Sequence, residues 1–116
     1  MVILICGSRH WNNREMIKTV LSGFSKGDTI IHGACRGADT IAGEIAGDLG
    51  LNIARFPAQW DKYGNAAGPI RNQEMLDIGQ PDIVVAFHNQ IERSRGTKDM
   101  INKAKRAKVP YLVLKE

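Results

Sequence analysis

Short runs of wholly apolar, often β-branched residues recur along this chain, and a helix-like segment separates each from the next. Val2-Ile3-Leu4-Ile5 and Ile83-Val84-Val85-Ala86-Phe87 have no polar position in alternation. Such runs are the mark of strands covered on both faces. Thr29 to His32, Asn52 to Phe56 and Val109 to Leu114 complete a set of five strand-like segments. Between them, helical spacing links Met16, Ile17, Val20, Leu21 and Phe24, with Asn12 or Asn13 able to cap the start. The same spacing links Ala38, Ile41, Ala42, Ile45, Ala46 and Leu49, before Gly50 stops the helix. A third helix is predicted from Pro69 to Ile78, and a fourth from Thr97, with Met100, Ile101, Ala104 and Ala107 on one face. The alternation predicts an α/β fold of a single domain over residues 1–116: a five-stranded parallel sheet with helices on both faces.

A parallel sheet has a consequence for function. Every strand points the same way, so the loops after the first four strands open on one edge, where open α/β sheets bind ligands. Those loops are Gly7–Asn12, Gly33–Gly37, Pro57–Gly68 and His88–Gly96, and they concentrate the glycines, arginines and loop aromatics of the chain. In His32-Gly33-Ala34-Cys35-Arg36-Gly37-Ala38-Asp39 a strand turns tightly into a helix, which favours an anion at the helix N-terminus. It is neither the dinucleotide G-x-G-x-x-G nor a Walker A loop. Gly7-Ser8-Arg9 offers close backbone approach, a hydroxyl and a guanidinium, though a plain turn reads the same way. Gly68-Pro69-Ile70-Arg71-Asn72 puts a cation at a predicted helix start, where the dipole disfavours it. Either a bound anion or a carboxylate such as Glu74 would compensate Arg71. Ser94-Arg95-Gly96-Thr97 repeats the design, with Thr97 equally readable as an ordinary N-cap. Asp39 favours the helix dipole with or without a ligand, and would meet a ribose hydroxyl more readily than a phosphate. Trp11, Trp60 and Tyr63 can either stack on a base or cover the core. His10, His32 and His88 read as packed or surface residues, because no Ser/His/Asp triad is arguable.

The 116 residues carry a net charge of +4, with Lys98, Lys103, Lys105, Arg106 and Lys108 supplying much of the excess. A solvated helix face explains that cluster, and attraction to a polyanion is the sharper alternative. No apolar run approaches the ~20 residues a bilayer span needs, so no membrane partner is expected. The start of the chain lacks a basic leader, and two cysteines make no disulfide scaffold, so the expected compartment is the cytoplasm. No Cys/His spacing suggests a metal, and no cofactor is expected.

Four stretches together resemble the YspA-like branch of the SLOG superfamily. They are Gly-Ser-Arg-x-Trp from Gly7, His-Gly-Ala-Cys-Arg-Gly-Ala-Asp from His32, the long run from Phe56 to Met75, and Gly-Thr-x-Asp-Met from Gly96. Relatives in that superfamily include the LOG phosphoribohydrolases and the DNA-processing protein DprA. The resemblance implies a Rossmann-like fold with strand order 3-2-1-4-5 and a nucleotide-derived ligand at the carboxyl edge. On that basis Gly7, Ser8, Arg9, Gly33, Arg36, Gly37, Asp39, Arg71, Asn72, Gly96 and Thr97 are the expected binding residues for phosphate and ribose, with Trp11, Trp60 or Tyr63 over the base. It also implies two alternatives, an N-glycosidase acting on nucleoside monophosphates and single-stranded nucleic-acid binding. Arg71 matches the catalytic arginine of the LOG enzymes, and Gly96-Thr97 matches their Gly-Thr. Their catalytic glutamate falls at Met100, which has no charge with which to stabilise an oxocarbenium-like transition state. A site completed by a neighbouring subunit, hence a homo-oligomer, is a further implication, as is a bacterial or phage origin.

Overall fold

A computed structural model describes residues 1–116. Five strands, β1 (Val2–Gly7), β2 (Thr29–His32), β3 (Asn52–Arg55), β4 (Ile83–Phe87) and β5 (Tyr111–Leu114), form one parallel sheet ordered β3-β2-β1-β4-β5. This is the expected Rossmann-like α/β arrangement. Helices α1 (Arg14–Leu21) and α2 (Ala38–Asp48) pack on one face, α4 (Ala67–Asp77) and α5 (Gly96–Arg106) on the other.

The unbroken apolar runs follow from the pleat. Successive side chains point to opposite faces, so Ile3 and Ile5 of β1 join Ile30, Val85 and Phe87 beneath α1 and α2. Leu4 and Cys6 join Ile31, Val84 and Ala86 beneath α4 and α5. Two cores thus share one sheet, and every position of β1 between Ile3 and Cys6 is buried. The alanine stripe of α2 is buried as the spacing required, whereas Ala107 at the end of α5 is exposed. No helix is long and apolar enough to cross a membrane.

Several boundaries move. Asn13, not Asn12, caps α1, its Oδ1 accepting from the Met16 N–H at 3.2 Å. The stretch from Pro57 to Gly68 is not a continuous loop: it holds a one-turn helix, α3 (Trp60–Tyr63), and a 3₁₀ turn, Gly64–Ala66. Helix α4 begins at Ala67, two residues before Pro69. The proline fits there because the first helical N–H groups have no intrahelical acceptor to lose. Arg71 is therefore the fifth residue of α4, one turn inside it, and the dipole penalty expected of it is smaller.

Sheet order reverses between β1 and β4, whose paired ends are Gly7 and Phe87. The crevice above that pair lies between the starts of α2 and α5.

Candidate functional site

The loop leaving β1 is locked to its neighbours by backbone contacts. Ser8 N–H donates to the Phe87 carbonyl at 2.9 Å, and the Ser8 carbonyl accepts from Trp11 and Ala38 N–H at 3.2 and 3.1 Å. The approach is close enough to require glycine twice. A Cβ on Gly7 would run into the Phe87 carbonyl oxygen and lie 2.8 Å from the Ala38 Cβ. Gly37 caps α2 at φ +75°, and a Cβ there would run into the Ser8 carbonyl oxygen.

The loop after β2 is organised by Asp39. One of its oxygens, Oδ2, accepts the Gly33 N–H at 3.0 Å and the Cys35 N–H at 3.3 Å. His32 Nδ1 accepts the Ala34 N–H at 3.0 Å, which requires that nitrogen to be unprotonated. Ala34 sits at φ +59°, a backbone strain these bonds hold in place. Burial pushes the Asp39 carboxyl up to about 6, although two N–H bonds and the Arg71 and Arg9 charges act in the opposite direction. Burial pushes the His32 imidazole down to about 4, helped by Arg55 and Arg71.

Arg71 reaches from α4 across to this loop. Its Nη1 donates to the Gly33 carbonyl and, at 3.4 Å, to the Phe56 carbonyl. Nε donates to Asn72 Oδ1 at 3.0 Å, while Nη2 meets only the Cys35 sulfur, at 3.7 Å. The guanidinium is buried, yet no carboxylate pairs with it. The ion pairs of the chain are Met1–Asp28, Arg14–Glu44, Lys98–Glu92 and Lys103–Asp99. Glu74, a possible partner from its spacing, is not bonded to Arg71. Asn72 carries the contact onward: its Nδ2 donates to the Gly96 carbonyl and to Asp99 Oδ2, at 3.2 and 2.9 Å. It thereby joins Arg71 to the start of α5.

At that start the N-cap residue, Arg95, makes no side-chain cap bond, and Ser94 Oγ just before it accepts the Thr97 N–H at 3.0 Å. Thr97, expected as a possible N-cap, is instead the second residue of α5. None of the structure's hydrogen bonds uses the N–H groups of Gly96 and Lys98, or the Thr97 hydroxyl.

These pieces surround a cavity of about 390 Å³ at the carboxyl edge. Of the expected residues, Gly7, Ser8, Arg9, Asp39, Arg71, Asn72, Gly96 and Thr97 line it. A second hollow of about 430 Å³ is bordered by Arg36 and Trp60 and shares Arg9 and Cys35 with the first. Gly33 and Gly37 stand behind the walls, shaping them rather than lining them. Tyr63 borders neither space, and Lys62 Nζ sits 5.0 Å from its ring centre.

Trp11 is a correction. It is 3 % exposed, its ring 5.5 Å from that of Phe87 and its Nε1 donating to the Asn13 carbonyl. It belongs to the core and offers no face to a ligand. Four lining residues that sequence reasoning missed are Cys6, His10, Met75 and His88. Two had a signal: Cys6 ends the buried part of β1, and His88 directly follows β4. Met100 is fully buried in the core beneath α4 and α5, so the position matching the LOG glutamate does not face the cavity. Asp39 is the one carboxylate lining it. On the basic C-terminal helix, Lys98 and Lys103 are ion-paired and Lys105 lies over Tyr111.

The profile of the family described as "YspA, cpYpsA-related SLOG family" matches residues 1–63, which hold β1, the Asp39 loop and α3. The chain belongs to that SLOG family. It is also 34% identical over 119 residues to the Gene 61 protein of Mycobacterium phage D29, covering 95% of this chain and 93% of that protein. No solved structure matches the chain. For a SLOG protein, whose family points to nucleotide-related function, the cavity has suitable chemistry. Arg9, Arg71 and Arg95 face a single carboxylate, with helix N–H groups beside them.

Proposed function

We propose that this protein binds a nucleotide or nucleotide-derived ligand in the carboxyl-edge cavity, with a phosphate against Arg71 and the start of α5. One observation carries the reading: a buried guanidinium with no carboxylate partner opens on a cavity of about 390 Å³. Burying a charge without a direct ion pair is costly, and a phosphate at Nη2 would offset part of that cost with a charge-assisted bond. Arg9, reaching both spaces, would bridge to the outer hollow, where Trp60, 47 % exposed, can stack on a base.

Calorimetric titration with nucleoside mono-, di- and triphosphates, ADP-ribose and cyclic nucleotides tests it. Micromolar binding of at least one, lost on Arg71→Ala, is the expected result. No binding below millimolar by the wild type overturns the reading.

Hydrolysis of a nucleoside monophosphate is a second reading, favoured by one observation: Asp39 is a carboxyl in the cavity wall beside Arg71, pushed up to about 6 by burial. It requires free base to accumulate when the protein is incubated with nucleoside monophosphates. No release over hours at high protein concentration removes it.

A further inference from the structure

The cavity that holds three guanidiniums also holds a carboxylate, and a phosphate repels a carboxylate. Asp39 ties its own loop through Oδ2, but toward a ligand made only of phosphate its charge would be unfavourable. The two oxygens of Asp39 are differently engaged. Oδ2 is committed to the Gly33 and Cys35 N–H groups of its own loop. Oδ1 makes no hydrogen bond, yet no side-chain oxygen of the protein is both sealed from solvent and unbonded. Oδ1 therefore reaches solvent, and the solvent-filled space beside Asp39 is the cavity. An ionised carboxylate only accepts hydrogen bonds, so its complement is a hydroxyl or amino donor held close to the anion.

We infer that Asp39 is a specificity-determining residue that accepts a hydrogen bond from a ribose hydroxyl, so that the cavity takes ribonucleotides in preference to 2′-deoxyribonucleotides. This rests on the nucleotide reading above and adds the sugar to it. A ribose is the part of a nucleotide that lies next to the phosphate and carries neutral donors. In the cavity Asp39 stands beside the Arg71 and Gly96–Thr97 anion ground, whereas the outer hollow with Trp60 has no acid in its lining. When the 2′-hydroxyl is missing, Oδ1 faces a ligand that offers it no partner. A site that bonds a hydroxyl rejects the analogue lacking it, because its own polar group is left unpaired.

The test compares AMP, GMP, CMP and UMP with their 2′-deoxy counterparts by calorimetry near pH 7.5, on the wild type and on Asp39→Asn. Asparagine is nearly isosteric, and its carbonyl oxygen can keep both loop N–H bonds while its NH₂ faces the cavity. The wild type is expected to bind the best ribonucleotide about 10- to 100-fold more tightly than its deoxy form. In Asp39→Asn that ratio falls, because a neutral amide bonds the hydroxyl more weakly than a carboxylate does, while inorganic phosphate binds at least as tightly as before, a negative charge having been removed. Equal wild-type affinities for the ribo and deoxy forms overturn the inference and leave the nucleotide reading standing. So does a ratio that survives undiminished in Asp39→Asn. The wild-type ratio decides even if the variant fails to fold. Discrimination by base alone, equal for both sugars, assigns Oδ1 to a base amino group and overturns the ribose assignment. No binding of any nucleotide overturns both.

Discussion

Arg71 and Gly33, 38 positions apart, are in direct contact: the guanidinium donates to the Gly33 carbonyl and fills the space a Gly33 side chain would take. A Cβ at position 33 would sit 2.7 Å from Arg71 Cζ. The glycine thus admits the arginine, and the arginine joins the end of β2 to α4 while lining the cavity. Gly33→Ala is expected to lower stability by about 1–3 kcal/mol through overpacking and to weaken anion binding with it. Denaturant melts and phosphate titrations of the same variant check both.

A control sits in α2. Gly47 is in the last turn of the helix and exposed, and a Cβ there would meet only Ile53 Cδ1, at an ordinary 3.8 Å. Gly47→Ala should raise stability by about 0.5–1 kcal/mol and leave ligand affinity unchanged. A loss of stability in a chemical melt would show that the α2 surface is not as described.

Arg71→Lys separates charge from geometry. An ammonium keeps the charge but cannot span Gly33, Phe56, Asn72 and a ligand at once, having lost the planar fork. Affinity for the best nucleotide should fall about tenfold or more, the loss of roughly one charge-assisted bond. Calorimetry showing wild-type affinity would mean that charge alone suffices.

The two tryptophans should report differently. Trp60 is half-exposed on the outer hollow, whereas Trp11 is sealed against Phe87. Ligand binding should change Trp60 emission, and Trp60→Phe should abolish that change without affecting folding. Trp11→Ala should instead cost about 3–5 kcal/mol of stability. An emission change that survives in Trp60→Phe would locate the ligand elsewhere.

Acid stability tests the two buried titrating groups against each other. His32 is pushed down to about 4, so the unfolded chain takes up that proton first as pH falls. Its contribution is fully present above about 6.5 and is lost progressively down to about 4. Asp39 is pushed up to about 6, so the folded chain takes up that proton first, and stability is gained as pH falls from about 6 to about 4. The two slopes oppose each other in that window. Removing one should expose the other: Asp39→Asn should lose up to about 3 kcal/mol more than wild type between pH 6 and 4. Urea melts at half-unit pH steps check this, and identical pH profiles would contradict it.

Much of the architecture was legible because burial on both faces of a strand leaves a plain signature. Val2–Ile5 and Ile83–Phe87 read as strands covered on both faces, whereas the order 3-2-1-4-5 came from the resemblance and not from the runs. The site was legible in part. Glycines and arginines after strands marked the edge, and Arg71 stood out as a cation at a predicted helix start. Its acceptors were not readable, since the Gly33 and Phe56 carbonyls meet it only through tertiary packing. Trp11 was ambiguous because an aromatic after a strand can turn inward or outward, and Phe87, the neighbour that draws it in, is distant in sequence. Asp39 looked like a first-turn acid, but its work in binding the Gly33 and Cys35 N–H groups depends on the φ +59° turn at Ala34. The turn of helix at Trp60 was hidden in a polar stretch too short for periodicity to show.

The central claim is that loops far apart in sequence form one anion-binding cavity around Arg71. Backbone amide chemical shifts during titration with a ribonucleoside monophosphate test it most directly. Perturbations are expected at Ser8, Cys35, Gly96 and Thr97 together, saturating with one affinity, while Leu112 on β5 stays still. Shifts confined to the basic end of α5, or none at millimolar ligand, would contradict it.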